Sequence, residues 1–270
     1  MSAPLTIADR LAIAPPDTLD IGRTVAPDWL AAGSDDDVLA RPEVVALTSL
    51  LASTSPYLSG LAKRDLDRYR VCLTAEPKDC IATLCVALRA TAESEAPDAT
   101  GLKAVMSAAR KAKSKAALLI ALADIAGLWD VPDVTRALSD VADASVSAGV
   151  RILVRIAHAK GAFRPELEPG TEKLEASLGY FLVAMGKHGA RELNYSSDID
   201  LIAFYDRDRA AGQLADPDRV QHFFVRLTQD LVRFVTERTP DGYVFRTDLR
   251  LRPDPGATQV AMSTDAAFHY

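Results

Sequence analysis

The sequence predicts an α+β protein, with an all-helical region followed by a smaller α/β region. Three observations predict it. An Ala-rich stretch from about 42 to 161 repeats apolar residues at helical spacing. Two short apolar runs, at 180–185 and 198–206, are bounded by glycines and turn residues. The segment YVFRTDLRLRP, from Tyr243, alternates in character as a strand does. The chain has 270 residues, 49% hydrophobic and 25% charged, enough for one large domain or two ordinary ones without disulfides or a structural metal.

The same arithmetic excludes several classes. The net charge of -6 argues against a general DNA or RNA binder, which carries a basic stripe. The longest apolar run is Ala116 to Ala123, far short of the roughly 20 residues a membrane helix needs. The first residues show no basic segment leading into an apolar one, so no signal peptide is expected. Cys72, Cys80 and Cys85 match no zinc-pair spacing, and an odd count fits a reducing compartment. A cytoplasmic location is expected.

Residues 1–40 are rich in Pro, Asp, Ala and Gly and read as a loose arm. Residues 41–170 read as the helical region. Pro42 and Pro56 each suit a first helical position, with Ser55 as the cap of the second helix. Cys80 to Ala92 is helix-compatible. Leu118, Leu122, Ile125 and Trp129 form one stripe, and Asp130-Val-Pro132 breaks it. Val134, Leu138, Val141, Ala144 and Ala148 form the next, which Gly161 and Pro165 stop. Residues 171–270 read as the catalytic domain. YFLVAM predicts a buried strand and DIDLIAFYD a second, joined by the turn GKHGARELNYSS. Asp216-Pro217 opens a helix with Phe223, Phe224, Leu227, Leu231, Phe234 and Val235 on its core side. Thr239 to Gly242 is a turn. Thr264 would cap a last helix that runs to Tyr270 without a stop signal, so the chain is expected to be the front part of a longer protein.

The chemistry concentrates in the last region. Asp198 and Asp200 are two apart on a strand, so both side chains share a face while Ile199 and Leu201 turn inward. Two carboxylates that close repel unless a divalent cation sits beside them. Gly186-Lys187 lies on the preceding turn, where a bare backbone and an ammonium can approach a phosphate. Alternation on the third strand puts Val244, Arg246, Asp248, Arg250 and Arg252 on one face. A carboxylate among arginines there suits a third metal ligand with phosphate-binding neighbours. Hard oxygen donors favour Mg²⁺ or Mn²⁺. A zinc site using His188 is the rival, and His188 as a general base is weighed below its reading as a substituted loop position. Glu192 is expected to pair with Arg246 or Arg250.

A glycine turn, then D-x-D, then a later strand Asp is the arrangement of the nucleotidyltransferase superfamily that includes DNA polymerase β. AMGKHGARELNYSSDIDLIAFYD further resembles the signature G-x-G-K-L-G-x-x-E-L-x-x-x-S-D-I-D-L-I of the glutamine synthetase adenylyltransferase/adenylyl-removing family. FRTDLRLRPDPGATQVAMS resembles its second signature, R-x-D-L-R-L-R-P-D-P. The likeness runs over about residues 40–270. Two departures stand out: Ala184 replaces the usual Gly, and His188 the usual Leu.

The resemblance implies a polymerase-β-like catalytic domain with a small mixed sheet. Asp198, Asp200 and Asp248 would hold Mg²⁺ or Mn²⁺, two ions about 4 Å apart clamping an in-line displacement. Gly186, Lys187, Ser197, Arg246 and Arg250 would bind the nucleotide or phosphate, with Arg252 adding positive charge. ADP, ATP and AMP are the implied nucleotides. Glutamine synthetase and the PII signal protein are the implied partners. Family members carry two such domains, the first removing AMP from glutamine synthetase and the second adding it. The motif's place near Met1, and Asn194-Tyr195-Ser196-Ser197 where the adding copy reads G-Y-G-S, point to removal by phosphorolysis. Adenylyl transfer from ATP, or a silent docking fragment, are the alternatives.

Overall fold

The computed structural model describes residues 5–21, 25–33, 36–164, 178–252 and 254–269. It is an α+β protein with a mixed sheet of four strands among its described residues. Pro165 and the segment before Leu178 lie outside the described residues. Two compact units divide the chain. One comprises Met1–Leu84 with Lys113–Leu138, the other Cys85–Ala112 with Ser139–Tyr270.

The first unit is helical. Helix α1 (Ile7–Ile13) occupies part of the stretch expected to be a loose arm. Its signal is short but complete. Thr6 accepts from the Asp9 amide while Asp9 accepts back from the Thr6 amide, a reciprocal cap. Ile7, Ala8 and Leu11 supply the buried face. Helices α2 (Pro42–Thr54) and α3 (Pro56–Arg64) begin at the expected prolines, and the Ser55 hydroxyl accepts from the Leu58 amide. Helix α4 (Leu66–Thr74) brings Tyr69 into the core, where its hydroxyl meets Thr48 at 2.7 Å. Trp29 stands edge-on to that ring. Leu118, Leu119 and Leu122 are fully buried in the same unit, as is Trp129 nearly so.

Helices α5 (Pro77–Ser94), α6 (Ala99–Ile125) and α7 (Val131–Ala159) are long, and each contributes residues to both units. The Asp130 side chain accepts from the Asp133 amide and so starts α7 rather than merely ending α6. The predicted stripe on α7 holds: Val134, Leu138, Val141, Ala144 and Ala148 are buried.

The second unit contains the sheet. Strand β1 (Tyr180–Met185) pairs antiparallel with β2 (Ile199–Tyr205), from Tyr180 against Tyr205 to Met185 against Asp200. Strand β1 lies at the end of the sheet and is only half buried, with Phe181 exposed, so it is not the buried strand the sequence predicts. Its apolar run reads as buried because the one-dimensional pattern cannot tell an edge from a centre. Between the two, residues Gly186–Gly189 form a short helical turn, α8. Helix α9 (Arg207–Ala211) follows β2. A 3-10 turn capped by Asp216 then leads into α10 (Val220–Thr236).

Helix α10 covers the inner sheet face. Phe224 stacks on Tyr180 and Tyr205, and the Tyr180 hydroxyl meets Thr228 at 2.9 Å. Phe224 and Phe234 of the phenylalanine stripe are therefore core, as expected, while Phe223 is half-buried. Helix α7 packs on α10 at Gly149, where a β-carbon would fall 2.7 Å from Leu231 and 2.9 Å from Phe234. Arg110 of α6 is 0% exposed. It donates to the carbonyls of Phe234 and Glu237 at the end of α10, and to Gly242 in the following turn.

The third strand differs from expectation. Only Thr247 and Asp248 pair, as β3, parallel to Ile199 and Asp200. Strand β4 (Ala261–Ser263) takes the next stretch of the same edge of β2, parallel to Ala203–Tyr205. The alternating pattern from Tyr243 to Arg252 is thus no continuous strand: Val244 and Phe245 are both buried and Leu251 is exposed. Ser263, not Thr264, caps the final helix α11 (Thr264–Phe268) by accepting from the Ala266 amide.

Candidate active site

The mouth of β2 brings the predicted acids together along the backbone. Asp198 is exposed just before the strand begins, and Asp200 is partly buried within it. Asp200 lies opposite Asp248 across the parallel β2–β3 pair. It lies opposite Met185 on the other side, so α8 starts beside it. Gly186 has φ +52°, and a β-carbon on it would stand 2.5 Å from the Asp200 Oδ2. Glycine is therefore required twice over, by the left-handed backbone and by the carboxylate seated against it.

The electrostatics follow this convergence. Burial raises the Asp200 pKa, and the neighbouring carboxylates of Asp198 and Asp248 raise it further, with His188 opposing them. Asp248 is held the other way. The Arg250 guanidinium, through Nε and Nη2, and the Arg250 amide all donate to it, at 2.6–3.1 Å, and lower its pKa. Arg250 is itself 82% exposed while Asp248 is 17% exposed. Hence Asp248 shares a register position with Asp200 but spends its carboxylate on a cation already present. Among the described residues, no group of three or more His, Cys, Asp or Glu side chains is arranged to hold a metal ion.

The other predicted residues take different places. Lys187 is exposed on the turn beside Gly186. The Ser197 hydroxyl accepts from the Asn194 amide and closes the loop ahead of Asp198. Arg246 donates to the Ser196 carbonyl and fastens the same loop. Arg252 donates to the carbonyls of Leu249, Pro255 and Thr258, so it clasps its own loop instead of sharing a strand face with Asp248. The pairing of Glu192 with Arg246 or Arg250 is not what these arginines do: one holds Ser196, the other Asp248.

His188 carries information that its sequence position alone does not. It is 3% exposed, and its Nε2 lies 2.8 Å from Asp143 Oδ1 of α7. Arg191 also bonds Asp143, at 3.2 Å, and Asp140. These partners are more than forty residues apart in sequence, so no local pattern reveals them. The imidazole is hydrogen-bonded to a carboxylate and turned away from solvent, so it is not an exposed base.

Comparison with known proteins agrees with the motifs. The sequence model of the family described as Glutamate-ammonia ligase adenylyltransferase matches residues 45–270. The chain is 47% identical over 249 residues to the bifunctional glutamine synthetase adenylyltransferase/adenylyl-removing enzyme of Bradyrhizobium sp. (strain ORS 278), covering 90% of this chain and 24% of that protein. It is 49% identical over 220 residues to the enzyme of the same name from Bradyrhizobium diazoefficiens, covering 82% and 21%. For that of Xanthobacter autotrophicus the figures are 45% over 239 residues, 87% and 23%. The chain thus spans about a quarter of the length of the curated relatives it matches. A match over most of the chain, together with both signatures, shows that it belongs to the glutamate-ammonia ligase adenylyltransferase family.

Proposed function

We propose that this chain carries a polymerase-β-like nucleotidyltransferase site that removes AMP from glutamine synthetase by metal-dependent phosphorolysis. The observation that carries the reading is the seat of Gly186 on the Asp200 carboxylate, with Asp248 in register beside it. The relatives' name supplies the substrate, glutamine synthetase, and both directions of the reaction. The Asn194-Tyr195-Ser196-Ser197 approach to Asp198, where the adding copy of the family reads G-Y-G-S, favours removal.

The donor set fits Mg²⁺ or Mn²⁺: hard oxygens only, and a mutual repulsion at Asp200 that a cation would relieve. Asp198, Asp200 and Asp248 are the residues that would hold the ions, Asp248 exchanging its contact with Arg250 for a metal. When bound, the ions neutralise charge on the phosphates and favour in-line displacement. The chain's own groups do the rest. Gly186 lets a phosphate reach the backbone, and Lys187 and Arg250 are exposed cations beside it that offset the repulsion between an anionic nucleophile and an anionic diester. An oxygen of orthophosphate bonds to the phosphorus of the tyrosyl–AMP diester and the bond to the tyrosine oxygen breaks. The tyrosine oxygen then takes up a proton and ADP leaves.

The test is direct. Orthophosphate with adenylylated glutamine synthetase should yield ADP, and Asp198→Asn or Asp200→Asn should abolish it with the fold intact. ATP with unmodified synthetase should yield no transfer. Transfer without removal reverses the assignment. Binding of the synthetase with neither reaction makes the chain a docking fragment.

A further inference from the structure

Helix α7 grips the glycine turn at two points. Asp143 takes His188 Nε2 at 2.8 Å and Arg191 at 3.2 Å, and Asp140, one turn earlier, takes Arg191 as well. Between the two gripped residues the chain closes on itself: the Arg191 amide donates to the His188 carbonyl, and Arg191 has φ +60°, unusual for a side chain of that size. A carboxylate only accepts, so the hydrogen lies on Nε2. The second imidazole nitrogen, Nδ1, is buried with no hydrogen-bond partner. Burying it costs stability that an apolar side chain of similar size would keep. Two residues before His188, Gly186 sits against Asp200.

We infer that His188 and Asp143 are positioning residues: through their hydrogen bond, α7 fixes the turn that seats Gly186 on Asp200 and so sets where phosphate binds. The inference rests on the function proposed above. An aspartate at 143 is needed because it must accept from two donors at once, the imidazole on one oxygen and the guanidinium on the other. Pinned from the helix side, the turn keeps its left-handed glycine in place without contact between the substrate and either pinning residue. A loosened turn would still permit the chemistry, but only in the fraction of molecules whose turn happens to be seated.

The experiment uses the whole chain, adenylylated glutamine synthetase and inorganic phosphate. Asp143→Ala and His188→Leu should each raise KM for orthophosphate roughly tenfold while kcat changes by less than about threefold. The double variant should be no worse than Asp143→Ala alone, because that variant has already lost the His188 contact. His188→Gln should return KM to near the wild-type value, since its amide N–H can reach the same carboxylate. Backbone hydrogen exchange over residues 187–192 should quicken in Asp143→Ala and His188→Leu, and not in His188→Gln. Effects that multiply in the double variant overturn the inference, as does an active His188→Leu with unchanged KM. A wild-type chain that releases no ADP fails the proposed function instead. Quickened exchange would then mark the contact as structural and the positioning role would fall with it.

Discussion

Gly186 and Asp200 touch in a way only glycine permits: a β-carbon at residue 186 would lie 2.5 Å from the Asp200 Oδ2. Asp200 is short and fixed on a paired strand, so the carboxylate can escape only by rotating about Cα–Cβ, away from its present seat. Gly186→Ala should therefore lower ADP release by about 100-fold or more, since displacement of a reacting geometry by an ångström is that costly. The positive φ adds about 1 kcal/mol of instability. Steady-state ADP release alongside a urea melt separates the two effects; full activity in the alanine variant would contradict the seat.

Divalent cations should stabilise the protein. Burial and the neighbouring carboxylates of Asp198 and Asp248 raise the Asp200 pKa, a repulsion that a bound cation would relieve. At an ion concentration tenfold above Kd the gain is about 1.4 kcal/mol, or a few degrees in Tm for a protein of this size. Mg²⁺ and Mn²⁺ should both produce it in a thermal scan, and Asp198→Asn should show a smaller rise. A scan indifferent to both ions but raised by stoichiometric zinc would refute the carboxylate site.

Arg110 predicts a stability effect unrelated to chemistry. It is fully buried and donates to the carbonyls of Phe234 and Glu237 at the end of α10, where a positive charge also complements the helix dipole, and to that of Gly242 in the following turn. Arg110→Ala should cost about 3 kcal/mol or more, because several buried acceptors lose their donors together. Arg110→Lys should recover part of it. Urea unfolding monitored by circular dichroism measures both.

Asp143 should imprint itself on the acid limb of stability. Burial pushes its carboxyl up, but the bonds and charge of His188 and Arg191 outweigh that and leave it below the ordinary value of 3.8. A depressed folded pKa gives stability that is fully present above the unfolded value, about 3.9, and is lost as pH falls through the folded value. The stability difference between wild type and Asp143→Asn should thus be constant near pH 6 and shrink below about pH 4. A difference that grows on acidification would show the sign to be wrong.

Much of the fold was legible because its signals are local. Pro42, Pro56 and Ser55 mark helix starts by the missing amide and the capping hydroxyl, and the structure begins α2 and α3 there. Asp200 and Gly186 could be placed from strand period and turn chemistry alone, whereas Asp198 falls just outside the strand predicted to carry it. What could not be read depends on neighbours. The alternation after Tyr243 promised a long strand, yet β4 occupies the rest of that edge of β2, so only Thr247 and Asp248 find partners. The arginines expected to face phosphate fold back on nearer acceptors, Arg246 on Ser196 and Arg252 on its own loop. His188 finds Asp143 only because α8 and α7 meet in space. Helix α1 was missed for another reason: its cap and buried face are present in the sequence, but too short to stand out among prolines.

Strands β3 and β4 lie one after the other along a single edge of β2 and point the same way. They act as one strand interrupted by the excursion between Asp248 and Ala261, which Arg252 ties at its neck. Such a detour leaves and rejoins the same rail. Its length and composition can drift while Asp248 stays abreast of Asp200, because the register is anchored on both sides of the detour. The surface at the detour can therefore be remodelled by insertion or deletion, leaving the acids at the mouth of β2 undisturbed.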